Sequence, residues 1–246
     1  MIFDESIDEK RTALLEYLKD QNFRRVLDIG GVMYPWARDY VTHYFDGLDI
    51  HQYLGRSPEF YNEKVRDAIS FVGDINGDTS GKGWEDVCED VNRYGKFDFI
   101  ICSQTIEDIR SPVVPLRIMS TIGKEGFITV PTKYRELTYV ENYAPVDLAA
   151  NGLTRPYVGY FHHRWIFTIQ DGILVLFPKL EFCNCLDLLN IIIAEVGRVQ
   201  YDKGMQYELS FRWKDDIPFR IIGGDYLGPN PGTIFDTYRR ELKKGL

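Results

Sequence analysis

The chain of 246 residues contains no apolar run of the roughly 18 residues that a helix needs to cross a bilayer, so no membrane span is expected. The opening MIFDESIDEK is acidic from position 4 onward and has neither the basic start nor the apolar stretch of a secretory signal. Cysteine is scarce as well. Cys88, Cys102, Cys183 and Cys185 lack the paired spacing of a zinc site, so reduced thiols, a cytoplasmic setting and no metal are expected. Positive charge is the third shortage: 29 Lys and Arg stand against 37 Asp and Glu, a formal net charge of −8. Non-specific affinity for nucleic acid comes from clustered Lys and Arg that release counterions, so a nucleic-acid partner is disfavoured. A basic cluster, Arg239, Arg240, Lys243 and Lys244, falls at helical spacing near the C-terminus, where it complements a helix dipole.

What is present suffices for a full core: 44% of residues are hydrophobic and 14% aromatic, which fits one elaborated domain over 1–246. Ser6-Ile7-Asp8-Glu9 has the form of a capping box, and the periodicity predicts a helix over 5–20. Short β-rich runs follow at Arg24 to Ile29, Tyr44 to Ile50, Ile69 to Val72, Phe97 to Cys102 and Gly126 to Val130, with helical stretches at 84–94 and 112–123. Strands alternating with helices mean a three-layer α/β sandwich with a mainly parallel central sheet. After Pro131 the pattern changes. Residues 132–164 are rich in Tyr, Pro, Asn and Gly without a period, and 132–185 is expected to be an acceptor-binding insertion or lid. Trp165 to Ile169 and Ile173 to Phe177, joined through Asp171-Gly172, read as an inserted β-hairpin. A helix at Leu186 to Val196, strands at Tyr207 to Trp213 and Phe219 to Ile222, and a helix at Thr233 to Lys244 complete the pattern.

In an open parallel sheet, ligands bind beyond the carboxyl ends of the strands. Those ends are Asp28-Ile29-Gly30-Gly31, Asp49-Ile50-His51, Gly73-Asp74-Ile75-Asn76 and Ser103-Gln104-Thr105-Ile106-Glu107, with Glu107 read as opening a helix. VLDIGG, an acid 21 residues after Asp28, the Gly73-Asp74-Ile75 step and FDFIICSQTIEDI occur in the order of the elements of class I S-adenosylmethionine-dependent methyltransferases, Rossmann-like proteins that this region resembles. The resemblance implies S-adenosylmethionine as cofactor. It also implies that Asp28, Gly30 and Gly31 hold the amino-acid end, Asp49 and Ile50 the ribose, Asp74 and Ile75 the adenine, and that Ser103 and Gln104 line the site. A nicotinamide-dependent oxidoreductase is the rival, but it needs G-x-G-x-x-G, and the second and third of those positions hold Val32 and Pro35. The bulky VMYPWA loop leaves a third reading open: a non-catalytic module that keeps the fold and interacts through its aromatic surface.

Methyl transfer to a hydroxyl needs alignment and a base. The segment YVGYFHHRW at 157–165 supplies His162 and His163, whose ordinary pKa suits that task, with His163 slightly preferred. Adjacent strand residues point to opposite faces, so one of the two histidines would face the reaction. The same run also fits a polar strand start bonded to a sheet edge. Tyr160 and Arg164 in that segment, and Lys133, Tyr134, Arg135 and Glu136 just past the fifth strand, are candidates for acceptor contacts. Tyrosine-rich walls with charged groups suit a small molecule or carbohydrate, including a nucleotide sugar.

Overall fold

The structure, a computed structural model, describes residues 5–47, 49, 63–77, 83–138, 159–160, 162–180, 207–223 and 231–244. The expected helix at Leu186 to Val196, Cys183, Cys185, Ile50 and Tyr157 lie outside the described residues. The chain divides into two compact units, 1–130 with 210–217, and 131–209 with 218–246.

The first unit is built on α1 (Glu5–Gln21), β1 (Val26–Ile29), β2 (His43–Asp46), α2 (Glu63–Asp67), β3 (Ile69–Val72), α3 (Trp84–Tyr94), β4 (Phe99–Ser103), α4 (Val113–Ile122) and β5 (Glu125–Pro131). With β8 (Glu208–Lys214) these strands form a sheet of order β3-β2-β1-β4-β5-β8. The strand pairings from β3 through β5 are all parallel, with Asp28 opposite Tyr44 on one side and Ile101 on the other. The mainly parallel α/β class read from the periodicity is the one the chain adopts. Alternation along the strands gives the sheet two apolar faces. Val26, Tyr44, Phe99, Ile101 and Phe127 share a buried cluster with Leu14 and Leu18 of α1 and Val65 of α2. Phe45, one residue on from Tyr44, meets Trp84 of α3 with ring centroids 4.3 Å apart on the other face. At the β5 edge, an added methyl on Gly126 would fall 2.7 Å from the Trp213 ring, so the glycine admits the indole.

Two boundaries differ from expectation in ways that matter. Strand β2 ends at Asp46, because the Asp46 side chain accepts the Gly47 N–H at 2.6 Å and turns the chain. Asp49, expected at the strand tip, lies three residues beyond it and is partly buried. Residues 104–112 are successive turns and α4 starts only at Val113, so Glu107 does not open a helix; it is buried at 1% exposure.

The second unit contains α5 (Lys133–Thr138), β6 (Trp165–Gln170), β7 (Ile173–Pro178), β9 (Phe219–Ile221) and α6 (Pro231–Leu242). The hairpin β6–β7 pairs Gln170 with Ile173 across Asp171-Gly172, and both turn residues have positive φ, 50° and 75°, as the favoured two-residue turn demands. Strand β9 adds to β7 in parallel. Tyr134, Leu137, Ile166, Val175, Phe177, Ile222, Tyr238 and Leu242 form the core of this unit. The aperiodic reading of 132–164 is corrected at its start: Thr132 caps a short helix, its hydroxyl accepting the Arg135 N–H at 3.2 Å.

Candidate active site

Strand β1 is buried at all four positions, as a central parallel strand should be, yet its third residue is a carboxylate. Asp28 is 0% exposed, and neither carboxylate oxygen has a hydrogen-bond partner among the described residues. Burial, and then the nearby charge of Asp46, push its pKa up to about 8. A polar group left so costs folding free energy unless a ligand supplies what the protein does not.

The strand order reverses between β1 and β4, which makes the gap between their tips the switch point where open α/β sheets bind ligands. The two tips are in intimate contact. Gly30 has φ +77°, and a Cβ there would fall 2.3 Å from the Thr105 hydroxyl oxygen; a Cβ on Gly31 would fall 2.2 Å from an Asp28 oxygen. Both glycines are therefore required, one for its left-handed backbone and the other to leave room for the carboxylate. Thr105 donates to the Ser103 carbonyl at 3.0 Å, Ser103 and Thr129 hydroxyls pair at 2.7 Å, and Gln104 is exposed with φ 52°. Beneath them Cys102 is buried, and its thiol is pushed well up by that burial and then by Glu107 and Asp28.

The tip of β3 is tied to the same region. Asp74 is exposed and accepts from the Asn76 N–H at 2.8 Å and its side-chain amide at 3.0 Å, hydrogen bonds that hold the carboxyl below its ordinary value. The Asn76 side-chain Oδ1 in turn accepts from the Arg110 and Ser111 backbone N–H groups past β4. Ile75 is buried, and its carbonyl receives the Trp84 indole N–H at 3.3 Å. Asp28, Gly30, Gly31, Ser103 and Gln104 thus gather at adjoining tips, and Asp74 and Ile75 are linked to them through Asn76. A cavity of about 520 Å³ in this unit lies at the opposite end of the sheet, where Leu18, Phe23, Val26 and Thr42 line it at the amino ends of β1 and β2.

The VMYPWA loop sends its bulk away from the tip of β1. Val32, Pro35 and Ala37 are buried, Val32 and Ala37 within the cluster under α1, whereas Met33 and Tyr34 are 54% and 64% exposed.

In the second unit His163 is buried and its Nδ1 lies 2.5 Å from Glu136 Oε1. The other Glu136 oxygen accepts from the Lys179 ammonium at 2.7 Å, and Lys179 also donates to the Tyr160 carbonyl at 2.7 Å. Burial alone would push the Glu136 carboxyl up, but the His163 hydrogen bond and then the Lys179 charge outweigh it and hold it below its ordinary value. The Tyr160 ring leans on His163 at 4.4 Å, and its hydroxyl accepts from Arg135 Nε at 3.1 Å. His162 and Arg164 are exposed. Lys133 stands apart: its ammonium is buried and donates to the Leu242 and Lys244 carbonyls at 2.8 and 2.7 Å, finishing α6. Tyr134 is buried in the core of the unit. Asp46 and Lys179 are absent from the sequence reading, and Asn76 and Thr105 enter it only as strand-end residues without a role. Asp46-Gly47 and Asp74-x-Asn76-Gly77 are turn signatures that could have found two of them; nothing in the sequence marks Lys179.

The fold and site define an open, mainly parallel α/β protein with an acidic switch point. No protein-family model and no curated protein matches the chain. Among solved structures it is similar to the N-terminal domain of EvdMO1 in the presence of SAH and D-fucose, at 13% identity and TM-score 0.35, covering 55% of this chain and 54% of that one. It is also similar to the methyltransferase domain of bacterial CtHen1-C, at 15% identity and TM-score 0.35 over 53% and 68%, and to YcgJ from Bacillus subtilis, at 14% identity and TM-score 0.32 over 50% and 51%. The chain spans about half the length of the first solved structures it matches.

Proposed function

We propose that the chain is an S-adenosylmethionine-dependent methyltransferase acting on a hydroxyl group of a small molecule, sugar or nucleotide sugar. The observation that carries this reading is Asp28, a fully buried carboxyl group at the switch point that has no partner among the described residues, with Asp46 adding negative charge nearby. The amino-acid end of this cofactor carries an ammonium, which would favour the ionised form of that carboxyl and pair with it. A dinucleotide pyrophosphate would find Val32 and Pro35 in place of the glycines it needs.

The residues fit the group. Asp28, Gly30 and Gly31 would hold its amino-acid end, Asp49 and Ile50 its ribose, Asp74 and Ile75 its adenine edge, with Ser103 and Gln104 lining the remainder. When bound, the cofactor supplies an electrophilic methyl group on a sulfonium. The chain contributes alignment and, at His163, a place for the acceptor's proton. Between the two histidines, burial and the Glu136 contact favour His163 over exposed His162. Arg135, Tyr160 and Arg164 are the acceptor contacts this reading keeps. The outward course of Met33 and Tyr34 speaks against a loop that plugs the methionine end, and so against a non-catalytic module.

Thermal unfolding with S-adenosylmethionine, S-adenosylhomocysteine and NADH tests the reading. At about 100 times Kd the stabilisation is about 2.7 kcal/mol, or roughly 5 to 11 °C for a chain of this size. A shift with the first two compounds supports the proposal. A shift with NADH alone favours an oxidoreductase, and no shift at all favours the module.

A further inference from the structure

We propose that Glu136 and Lys179 are positioning residues that fix His163 as the Nδ1–H tautomer, so that Nε2 is the nitrogen that accepts the proton of a hydroxyl acceptor. The inference deepens the methyltransferase reading and rests on it for the acceptor, but its geometry stands on the second unit alone. A buried carboxylate bonded to a lysine ammonium is ionised and can only accept hydrogen bonds. His163 Nδ1, at 2.5 Å from that carboxylate, must then carry the hydrogen, which leaves the lone pair of the neutral ring on Nε2.

Charge counting gives the same answer. With Glu136 ionised and Lys179 protonated, both side chains 1% exposed, the cluster is neutral while His163 is neutral. One proton taken up at Nε2 makes the imidazolium, which lies against an anion already in place. As the acceptor oxygen is methylated, its proton passes to Nε2 and leaves for solvent after turnover, so the cluster returns to neutrality.

The remaining packing serves to hold the group still. Gly159 has φ +76°, and a Cβ there would lie 2.4 Å from the Glu136 carbonyl oxygen and 2.7 Å from both Glu136 Oε2 and Lys179 Nζ. Only glycine lets the chain pass this close. Tyr160, whose carbonyl takes the second Lys179 hydrogen bond, covers one face of the His163 ring, and His162 meets it edge-on at 4.4 Å. The Arg135 guanidinium, 5.5 Å from the Tyr160 ring and 4.6 Å from the Tyr207 ring, steadies that tyrosine. The charged and titratable groups about His163 in this unit are thus Glu136, Lys179, Arg135, Tyr160 and His162.

Long-range ¹H–¹⁵N correlation spectra of the whole chain labelled at histidine, with the His163 signals assigned through His163→Asn, read the tautomer directly. The expected result at neutral pH is a protonated Nδ1 and an unprotonated Nε2. A dominant Nε2–H tautomer overturns the proposal, and this arm needs only the folded wild-type chain. Glu136→Leu and Lys179→Met should then each weaken the preference for Nδ1–H. An unchanged tautomer in both variants also overturns it. Calorimetry with S-adenosylhomocysteine separates the two claims: cofactor binding with the wrong tautomer removes only the positioning role, whereas the right tautomer without cofactor binding removes the methyltransferase reading.

Discussion

Replacing Asp28 by Asn should stabilise the chain at alkaline pH while weakening cofactor binding. The carboxyl ordinarily ionises near 3.8 and in the fold near 8, because it is buried beside Asp46. A folded-state pKa raised above the unfolded value means that, between those two values, the folded chain holds a proton that the unfolded chain has released. The Asp28 contribution to stability is therefore most favourable below about pH 4 and falls as pH rises toward 8. At about 1.4 kcal/mol per pH unit, the loss is about 4 kcal/mol by pH 7 and on the order of 6 kcal/mol above pH 8. Asn keeps the shape and cannot ionise, but its amide donors need partners, at a cost of about 1 to 3 kcal/mol. The net expectation is a variant about 2 to 4 kcal/mol more stable than the wild type at pH 8 and no more stable near pH 4. Urea denaturation between pH 4.5 and 8.5 gives both curves. Parallel stability profiles for the two proteins would refute a buried, unpartnered carboxylate at position 28. Affinity for S-adenosylhomocysteine should fall about 10- to 100-fold in the variant, the worth of about 1.5 to 3 kcal/mol for a hydrogen bond to a charged group.

Gly30→Ala places a methyl against Thr105 at φ +77° and should cost about 1 to 3 kcal/mol in urea denaturation; adding Thr105→Ala should recover part of that loss, and full additivity would show that the two do not meet. Asn76→Ala removes the link between Asp74 and the Arg110 and Ser111 amides, so cofactor affinity by calorimetry should drop about 5- to 30-fold, the range of 1 to 2 kcal/mol. His163→Ala should lower turnover by about 10² to 10⁴ and leave cofactor affinity unchanged, whereas His162→Ala should leave both near the wild-type values.

The parts of the fold that local chemistry decides were legible in the sequence. Ile69–Val72 is the strand its β-branched and aromatic residues predict, and Asp171-Gly172 makes the hairpin turn that only residues tolerant of positive φ make easily. What depends on side chains far apart was not. Asp46 rather than Asp49 ends β2 because one carboxylate folds back onto Gly47, a hydrogen bond that hydrophobic periodicity does not register. Lys133 has the look of a substrate contact, yet it reaches carbonyls more than 100 residues away. Glu136 and His163 were both visible as chemistry-bearing residues. Their pairing, and the Lys179 that completes it, depend on β6 and β7 closing over α5, which spacing along the chain does not encode. The switch point itself was readable as a set of strand ends, while the lack of a partner for Asp28 among the described residues depends on how the neighbouring strands enclose it.

Hydrogen–deuterium exchange with and without saturating S-adenosylhomocysteine tests the location of the cofactor most directly. The expected result is protection in peptides that cover 28–33, 74–77 and 103–107, the tips of β1, β3 and β4. Protection confined to 18–26 and 39–42, around the cavity at the amino ends of the strands, or no protection anywhere, would contradict it.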